Sequence, residues 1–293
     1  MMTLRHLTVF LTVCDEGNMT AAADKLHIAQ PSVSQTIAEL EKNYQVRLFE
    51  RLGRKLFLTL AGRKLLTYAR HIVNLSKEAE AAMQEIHQHG SLRIGASVTI
   101  GTCILSNLIV AFRQSNAGVK VLSSVNNTRI IEEMLLADQL DLGLVEGRVH
   151  SNELLCIPFM DDELAVVSAA AHPLARKRQV SSWDLEGEEF IVREEGSGTR
   201  ELFESVMHSS GIAWQVYGVY NNAETIKAGV AAGLGITVMS KLAVQNEVNH
   251  HQLAIIPVKG LDFKRQFCMT YHKNKYITPV MEQFMALCRR FDD

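Results

Sequence analysis

MTAAADKLHIAQPSVSQTIAELE, residues 19–41, reads as two short helices joined by a tight turn. Thr20 is placed to cap the first helix, and Ala21, Ala22 and Ala23 are small enough for a second helix to pack closely across it, with Leu26 as apolar anchor. His27, Ile28 and Ala29 fill the turn. Pro31 falls in the first turn of the second helix, where its missing N–H costs no intrahelical bond. Val33, Ile37 and Leu40 then recur at helical spacing and define an inward face. The other face carries Gln30, Ser32, Ser34 and Gln35, short or amide side chains that can exchange hydrogen bonds with base edges if the helix enters a major groove. An ordinary solvated helix would carry the same residues, so their neighbours decide between the two readings.

Upstream, Leu4, Leu7, Phe10, Leu11 and Cys14 are spaced by threes and fours, the pattern of a helix closing a small core from the other side. Downstream, residues 42–70 hold Lys42, Arg47, Arg51, Arg54, Lys55, Arg63, Lys64 and Arg70 against the single acid Glu50. Within them RLFERLGRKLFLTLAG places Gly53 between short apolar runs, the pattern of a two-stranded wing. Arg51, Arg54 and Lys55 at its turn are suited to phosphates or a minor groove.

The order of these elements resembles the N-terminal domain of the LysR-type transcriptional regulators. The resemblance runs through Thr20, Ala22, Ala23, Leu26, Gln30, Pro31, Val33, Ser34, Ile37, Leu40, Glu41, Leu48, Phe49, Arg51, Arg54, Leu58, Thr59, Ala61 and Gly62. The sequence departs from the family pattern at Ala29, Thr36 and Gln45. At Gln45 a glycine often ends the helix, so a left-handed backbone kept there costs about 1 kcal/mol. The resemblance implies a winged helix-turn-helix over residues 1–60, with Thr20, Gln30, Pro31, Ser32, Ser34, Gln35, Arg51, Arg54 and Lys55 on double-stranded DNA, and contact with RNA polymerase.

The 293 residues suffice for two or three units with proper cores, and 47% hydrophobic with 21% charged residues is an ordinary composition for a soluble protein. The formal net charge of -2 conceals an asymmetry: residues 1–70 hold ten basic and six acidic side chains, the remainder twenty and twenty-six. The positive excess thus lies on the part expected to touch DNA. No basic leader precedes an apolar run and no apolar stretch approaches the roughly 20 residues of a membrane span, so a cytoplasmic protein with no membrane partner is expected. Cys14, Cys103, Cys156, Cys268 and Cys288 are scattered without a CxxC pair, which reads as reduced thiols rather than a zinc site; folding could still bring two together as a redox pair. His87 with His89, and His250 with His251, read as exposed histidines, so no metal or cofactor is expected.

Residues 61–90 read as a linker helix. Leu65, Ile72, Ala79 and Ile86 repeat every seven, with Tyr68, Leu75 and Ala82 three positions after the first three. Such repetition over about 40 Å favours pairing with another helix, hence a homodimer through residues 61–88, and two copies can read two half-sites. A tetramer built from such dimers is the other expected assembly.

From Leu92 the pattern changes. SLRIGA, VKVLSS, DLGLVE, ELAVVS, EFIVR, WQVYGVY, GITVMS and LAIIPV are strand-like. They are interspersed with the helical stretches ILSNLIVAFRQS, RIIEEMLLA, RELFESVMHSS, ETIKAGVAA and PVMEQFMALCRR, an α/β arrangement with largely parallel sheets. Ligands in such folds bind beyond the carboxyl ends of strands, which directs attention to the loops. Gly196, Ser197, Gly198 and Thr199 lead into a helix with Arg200 in its first turn, an arrangement that wraps amide donors around an anion or simply caps the helix. Asn221 with Glu224 reads as a capping box.

This half also resembles the family, whose effector domain has the two-lobed α/β fold of periplasmic binding proteins. The resemblance places lobe one at 91–161 plus 268–293 and lobe two at 162–267. It puts Ser97, Thr99, Thr128, Ser197 and Thr199 on loops lining an effector cleft, and the SGTR loop is similar to that of members with small anionic effectors. A solute-binding protein or an α/β enzyme is the alternative class, but no nucleophile elbow, phosphate loop, HExxH or dinucleotide fingerprint is present. A DNA-binding protein with a purely structural C-terminal domain is a third reading. Target genes, effector, sign of regulation and assembly state are not encoded in any recognisable motif.

Overall fold

The computed structural model describes residues 2–52, 55–84 and 90–291. Its contacts divide the chain into Met1–Gln88 with Leu136–Gln139, and His89–Leu135 with Leu140–Asp293.

In the first unit three helices, Leu4–Glu16 (α1), Met19–Leu26 (α2) and Gln30–Tyr44 (α3), enclose one apolar core. Val33, Ile37 and Leu40 of α3 are buried, as expected, with Ala22 and Ala23 of α2 beneath them. On α1 the core face is Leu7, Val9, Phe10 and Val13, while Leu4 is exposed at the helix end. The expected cap of α2 is displaced: Asn18 accepts from Ala21 N at 2.7 Å, and Thr20 is an exposed helical residue. Adjacent short polar residues compete for a cap, and asparagine serves at least as well as threonine.

Gln45 ends α3 at φ 53° and ψ 37°, so the left-handed backbone is kept without glycine. Gln45→Gly is therefore expected to stabilise this unit by about 0.5–1 kcal/mol, because the exposed side chain contributes no packing to lose. Chemical denaturation of the wild type and variant checks it; an unchanged or lowered midpoint contradicts it.

The wing is an antiparallel pair, Phe49–Leu52 (β1) on Lys55–Leu58 (β2). Glu41 fixes its start, its Oε1 accepting from Leu48 N at 2.8 Å and Phe49 N at 3.3 Å. Thr59 fixes its end: Oγ1 donates to Arg47 O at 2.6 Å and accepts from Gly62 N at 3.0 Å. A Cβ on Gly62 would stand 2.2 Å from Leu48 O, so the helix Leu60–Gln84 (α4) approaches the wing as only glycine allows. Ala69 and Val73 of α4 are buried in the first unit, whereas Ile72 and Leu75 are exposed. Ile86, His87 and His89 lie outside the described residues.

The second unit begins with Ser91–Ala96 (β3), Val98–Cys103 (α5), Leu105–Ser115 (α6), Lys120–Val125 (β4), Thr128–Leu136 (α7) and Leu142–Glu146 (β5). Two features then escape the sequence reading. Leu154–Ala169 (β6) is one 16-residue strand, of which ELAVVS is only the later part. After it come Val180–Ser181 (β7), Glu189–Arg193 (β8), Gly198–Ser209 (α8), Gln215–Tyr220 (β9), Ala223–Ala231 (α9), Thr237–Ser240 (β10), Lys241–Asn249 (α10), Leu253–Ile256 (β11) and Val258–Lys259 (β12). The second feature is Lys264–His272 (β13), followed by Pro279–Arg289 (α11). Asn222, rather than Asn221, caps α9 by accepting from Thr225 N at 2.8 Å.

The pairs β3 with β4, β3 with β5, and β8 with β9 are parallel, as expected of an α/β fold. The centre is not: β6 and β13 run antiparallel from Glu163↔Lys264 to Leu154↔His272. Past Glu163, β6 leaves β13 and pairs with β10 and β11. The apolar cores divide at the same place. Phe159, Phe267 and Met269 join Ile94, Phe112, Leu144 and Phe284 in lobe one. Alternating residues of β6 then serve two faces of lobe two, Leu164 and Val166 packing with Phe190 and Phe203, Ala165 and Val167 with Ile191 and Ile226. No helix among the described residues is long and apolar enough to cross a membrane.

Candidate functional site

The outer face of α3 is already hydrogen-bonded, within the helix and to side chains of α1 and α2. Gln30 Nε2 donates to Ser34 Oγ at 2.8 Å, and Ser34 Oγ donates to Met19 Sδ at 3.2 Å. Gln35 Nε2 donates to Glu39 Oε1 at 2.9 Å, and His6 Nε2 lies 3.2 Å from Glu39 Oε2. These two bonds, His6 first, hold the Glu39 carboxyl below its ordinary range. Pro31 is exposed and Ser32 half-buried, and Thr36 Oγ1 returns to Ser32 O at 2.8 Å. The side chains are short and their partners are other surface side chains, so they can exchange them for base edges at little cost in packing. An open groove of about 310 Å³ beside them is lined by Arg5, His6, Ser32, Gln35, Thr36 and Glu39. Neither His6 nor Glu39 is legible in the sequence, because a lone histidine and a helical glutamate carry no pattern. In the wing the backbone of Arg51 faces Leu56 and that of Lys55 faces Leu52, while the side chains of Arg51 and Lys55, and Gly53 and Arg54 altogether, lie outside the described residues.

In the second unit the expected effector residues gather at the carboxyl ends of β3, β4, β5 and β8. Ser97 N donates to Leu144 O at 2.8 Å and Asn126 N to Ala96 O at 3.1 Å, which locks the three lobe-one loops side by side. The loop entering α8 from lobe two packs onto them. Asn127 Nδ2 donates to Glu195 O at 3.3 Å, and Arg129 N donates to Gly196 O at 3.1 Å. A Cβ on Gly198 would stand 1.8 Å from Glu146 O, so the start of α8 lies directly on the end of β5.

The five residues divide by what their hydroxyls do. Thr128 Oγ1 donates to Glu146 O at 3.0 Å, and Thr199 Oγ1 lies 3.4 Å from Glu146 Oε1; both tie the loops together. Thr99 is buried in the first turn of α5. Ser97 and Ser197 precede α5 and α8 without capping them, are 0% and 1% exposed, and their Oγ atoms have no hydrogen-bond partner. A buried hydroxyl without a partner costs about 1–3 kcal/mol, and these two leave the loop cluster with unused hydrogen-bonding capacity.

Beneath lies a buried ionic triad that the sequence does not announce. Arg265 Nε donates to Asp162 Oδ2 at 2.7 Å, Nη1 to Thr199 Oγ1 at 2.9 Å, and Nη2 to Glu146 Oε2 at 3.4 Å. Ser240 Oγ donates to Asp162 Oδ1 at 2.6 Å. Arg200 is committed elsewhere, to Glu204 at 2.7 Å and Arg193 O at 3.2 Å. In the first turn of α8, Glu201 is pushed above the ordinary carboxyl range by burial, against the pull of His150, whose Nε2 lies 3.6 Å from it. Among the described residues no cluster of His, Cys, Asp and Glu could hold a metal ion.

Residues 4–63 match the family model of bacterial regulatory helix-turn-helix proteins of the LysR family, and residues 86–292 match that of the LysR substrate binding domain. The chain is 33% identical over 278 residues to the HTH-type transcriptional regulator CysL of Bacillus subtilis (strain 168), covering 94% of this chain and 91% of that one. The regulatory domain of CcmR from Synechocystis PCC6803, solved in complex with 2-PG, aligns at TM-score 0.66 and 27% identity over 70% of this chain and 98% of its own. CbnR, a LysR family transcriptional regulator, covers 100% of both chains at TM-score 0.64 and 23% identity, a likeness of fold alone.

Proposed function

The chain belongs to the LysR family of transcriptional regulators, and on that footing we propose that it works in the cytoplasm as a homodimer or tetramer that binds an interrupted palindrome and responds to a small metabolite. Residues 1–60 form the DNA-binding head, 61–90 the pairing helix, and 91–293 the effector domain, with lobe one at 91–161 plus 268–293 and lobe two at 162–267. The exposed Ile72 and Leu75, one helical face away from the buried Ala69 and Val73, support pairing through α4. RNA polymerase is the further partner of the DNA-bound form.

The observation that carries the effector reading is the pair of buried, unpartnered hydroxyls of Ser97 and Ser197. Thr99, Thr128 and Thr199 complete the loops around them. Two carboxylates share one guanidinium below, so an anionic group belongs against the amides and hydroxyl at the start of α8 rather than against Arg265. The CcmR regulatory domain, similar in fold and solved with 2-PG bound, supports a small ligand for this domain. To regulate, the effector must bind one arrangement of the lobes better than the other.

On DNA, Gln30, Pro31, Ser32, Ser34 and Gln35 read bases with Thr20 beside them, and Arg51, Arg54 and Lys55 take phosphates. Gln30→Ala is expected to lose discrimination at one or two base pairs by about 1–3 kcal/mol each, while Arg51→Ala weakens all duplexes alike and flattens the salt dependence. Competition binding at several salt concentrations separates them. Equal losses on specific and random DNA for the Gln30 variant would remove its base-reading role.

A further inference from the structure

We propose that Cys156 and Cys268 form a dithiol that a hydroperoxide converts to an intramolecular disulfide, joining β6 to β13 within the effector domain. The two thiols sit on adjacent antiparallel strands. In the register Cys156 faces Thr270 and Cys268 faces Pro158, so the cysteines are diagonal neighbours on one face of the sheet. The two thiols are near enough to shift each other's protonation, and Cys268 Sγ also points toward Gln266 O at 4.0 Å. Cys268 is buried while Cys156 is exposed, so one thiol is open to an oxidant and the other is held behind it.

The chemistry of the pair follows from its placement. The Cys268 thiol stabilises charge on its neighbour, which lowers Cys156 below the ordinary thiol range and raises Cys268. The remaining cysteines, scattered through the fold, are pushed the other way, Cys14 and Cys288 up to about 12 and Cys103 up to about 11, burial being the first cause in each. A second feature sits directly opposite Cys156: the hydroxyl of Thr270 is fully buried and has no hydrogen-bond partner, so a donor is on hand for an oxidised sulfur.

In the first step the Cys156 thiolate attacks the O–O bond. An S–O bond forms, the O–O bond breaks, and the leaving oxygen takes a proton to depart as an alcohol or water, leaving a sulfenic acid. Cys268 sulfur then attacks Cys156 sulfur; the S–S bond forms, the S–O bond breaks, and hydroxide leaves with the Cys268 proton as water. Two thiols have lost two electrons and two protons, and the peroxide has been reduced. Diagonal neighbours stand about 7–8 Å apart between Cα atoms, against a usual upper limit of about 6.8 Å for a disulfide, so closure draws the strands together by about 1 Å. The register shift between Phe267 and Cys268 gives β13 that play, and over Leu154–Glu163 no strand among the described residues pairs with the far side of β6.

The test treats reduced full-length protein with a small excess of hydrogen peroxide, counts free thiols in denaturant and maps tryptic peptides. Free thiols should fall from five to three, with residues 149–176 cross-linked to 266–273, and dithiothreitol should restore all five. Cys156→Ser should slow thiol loss at least about tenfold. Cys268→Ser should leave Cys156 as a sulfenic acid trapped by dimedone, with no internal disulfide formed. Retention of five thiols, a bond to any other cysteine, a link between chains, or Cys156 oxidised while Cys268 stays free in the wild type would each overturn the proposal. The wild-type map decides it even if a serine variant folds poorly.

Discussion

Arg265→Met is expected to destabilise the effector domain by about 3–5 kcal/mol, because it removes the sole cation from a buried triad and leaves two carboxylates facing each other. Asp162 and Glu146 have side chains only 1% exposed, and the guanidinium that bridges them is 4% exposed. The variant also deprives Thr199 of its 2.9 Å donor, so the start of α8 loses a tie to the strands below. Neutralising the acids at the same time should recover most of the loss: Arg265→Met with Glu146→Gln and Asp162→Asn replaces stranded charges by amides. Urea unfolding followed by a probe in this domain, Trp214 fluorescence among them, reads both variants. A single variant within about 1 kcal/mol of wild type would mean that water or another cation compensates the acids, and the triad would lose its place as the anchor between lobes.

Gly198→Ala should give the second large effect, about 3 kcal/mol, at the upper end of overpacking strain. The added Cβ would meet Glu146 O at 1.8 Å and Glu146 C at 2.8 Å, both backbone atoms that no rotamer change can move. The first turn of α8 must then retreat from β5, which separates Ser197 from the lobe-one loops. Hydrogen exchange should rise in residues 126–129 and 194–201 while the first unit is unaffected. Unchanged exchange and melting temperature would show that α8 need not touch β5, and the loop cluster would lose its rationale as one site.

The helix-turn-helix was legible because its core obeys a simple period. Val33, Ile37 and Leu40 recur on one face of a helix, and nothing else competes for that face. The wing followed from two short apolar runs around Gly53. Caps were legible only to within a residue or two: Asn18 stands in for Thr20 and Asn222 for Asn221, since neighbouring polar side chains offer nearly equal oxygen atoms.

The strands that join the lobes were the least legible. KRQFCMTYH places two cations in its first two positions, and Asp161, Asp162 and Glu163 interrupt β6 in mid-strand. Hydropathy reads such positions as loop, whereas in the fold Arg265 and Asp162 neutralise each other inside the protein. The lesson applies to the candidate site too. Short hydroxyl residues in strand-to-helix loops pointed to Ser97 and Ser197, but which hydroxyls are free and which are structural depends on Glu146 and Arg265, 119 residues apart in sequence. Likewise the proximity of Cys156 and Cys268 exists only once β6 and β13 pair.

Selection of bound duplexes from a random DNA library by the full-length protein, at near-physiological salt, tests the account most directly. Enrichment of an inverted repeat with half-sites about one helical turn apart, lost in sharpness when Gln30 is replaced by alanine, is the predicted result. Active protein that enriches no motif, or a motif that Gln30→Ala recovers unchanged, would contradict a regulator that reads DNA through α3.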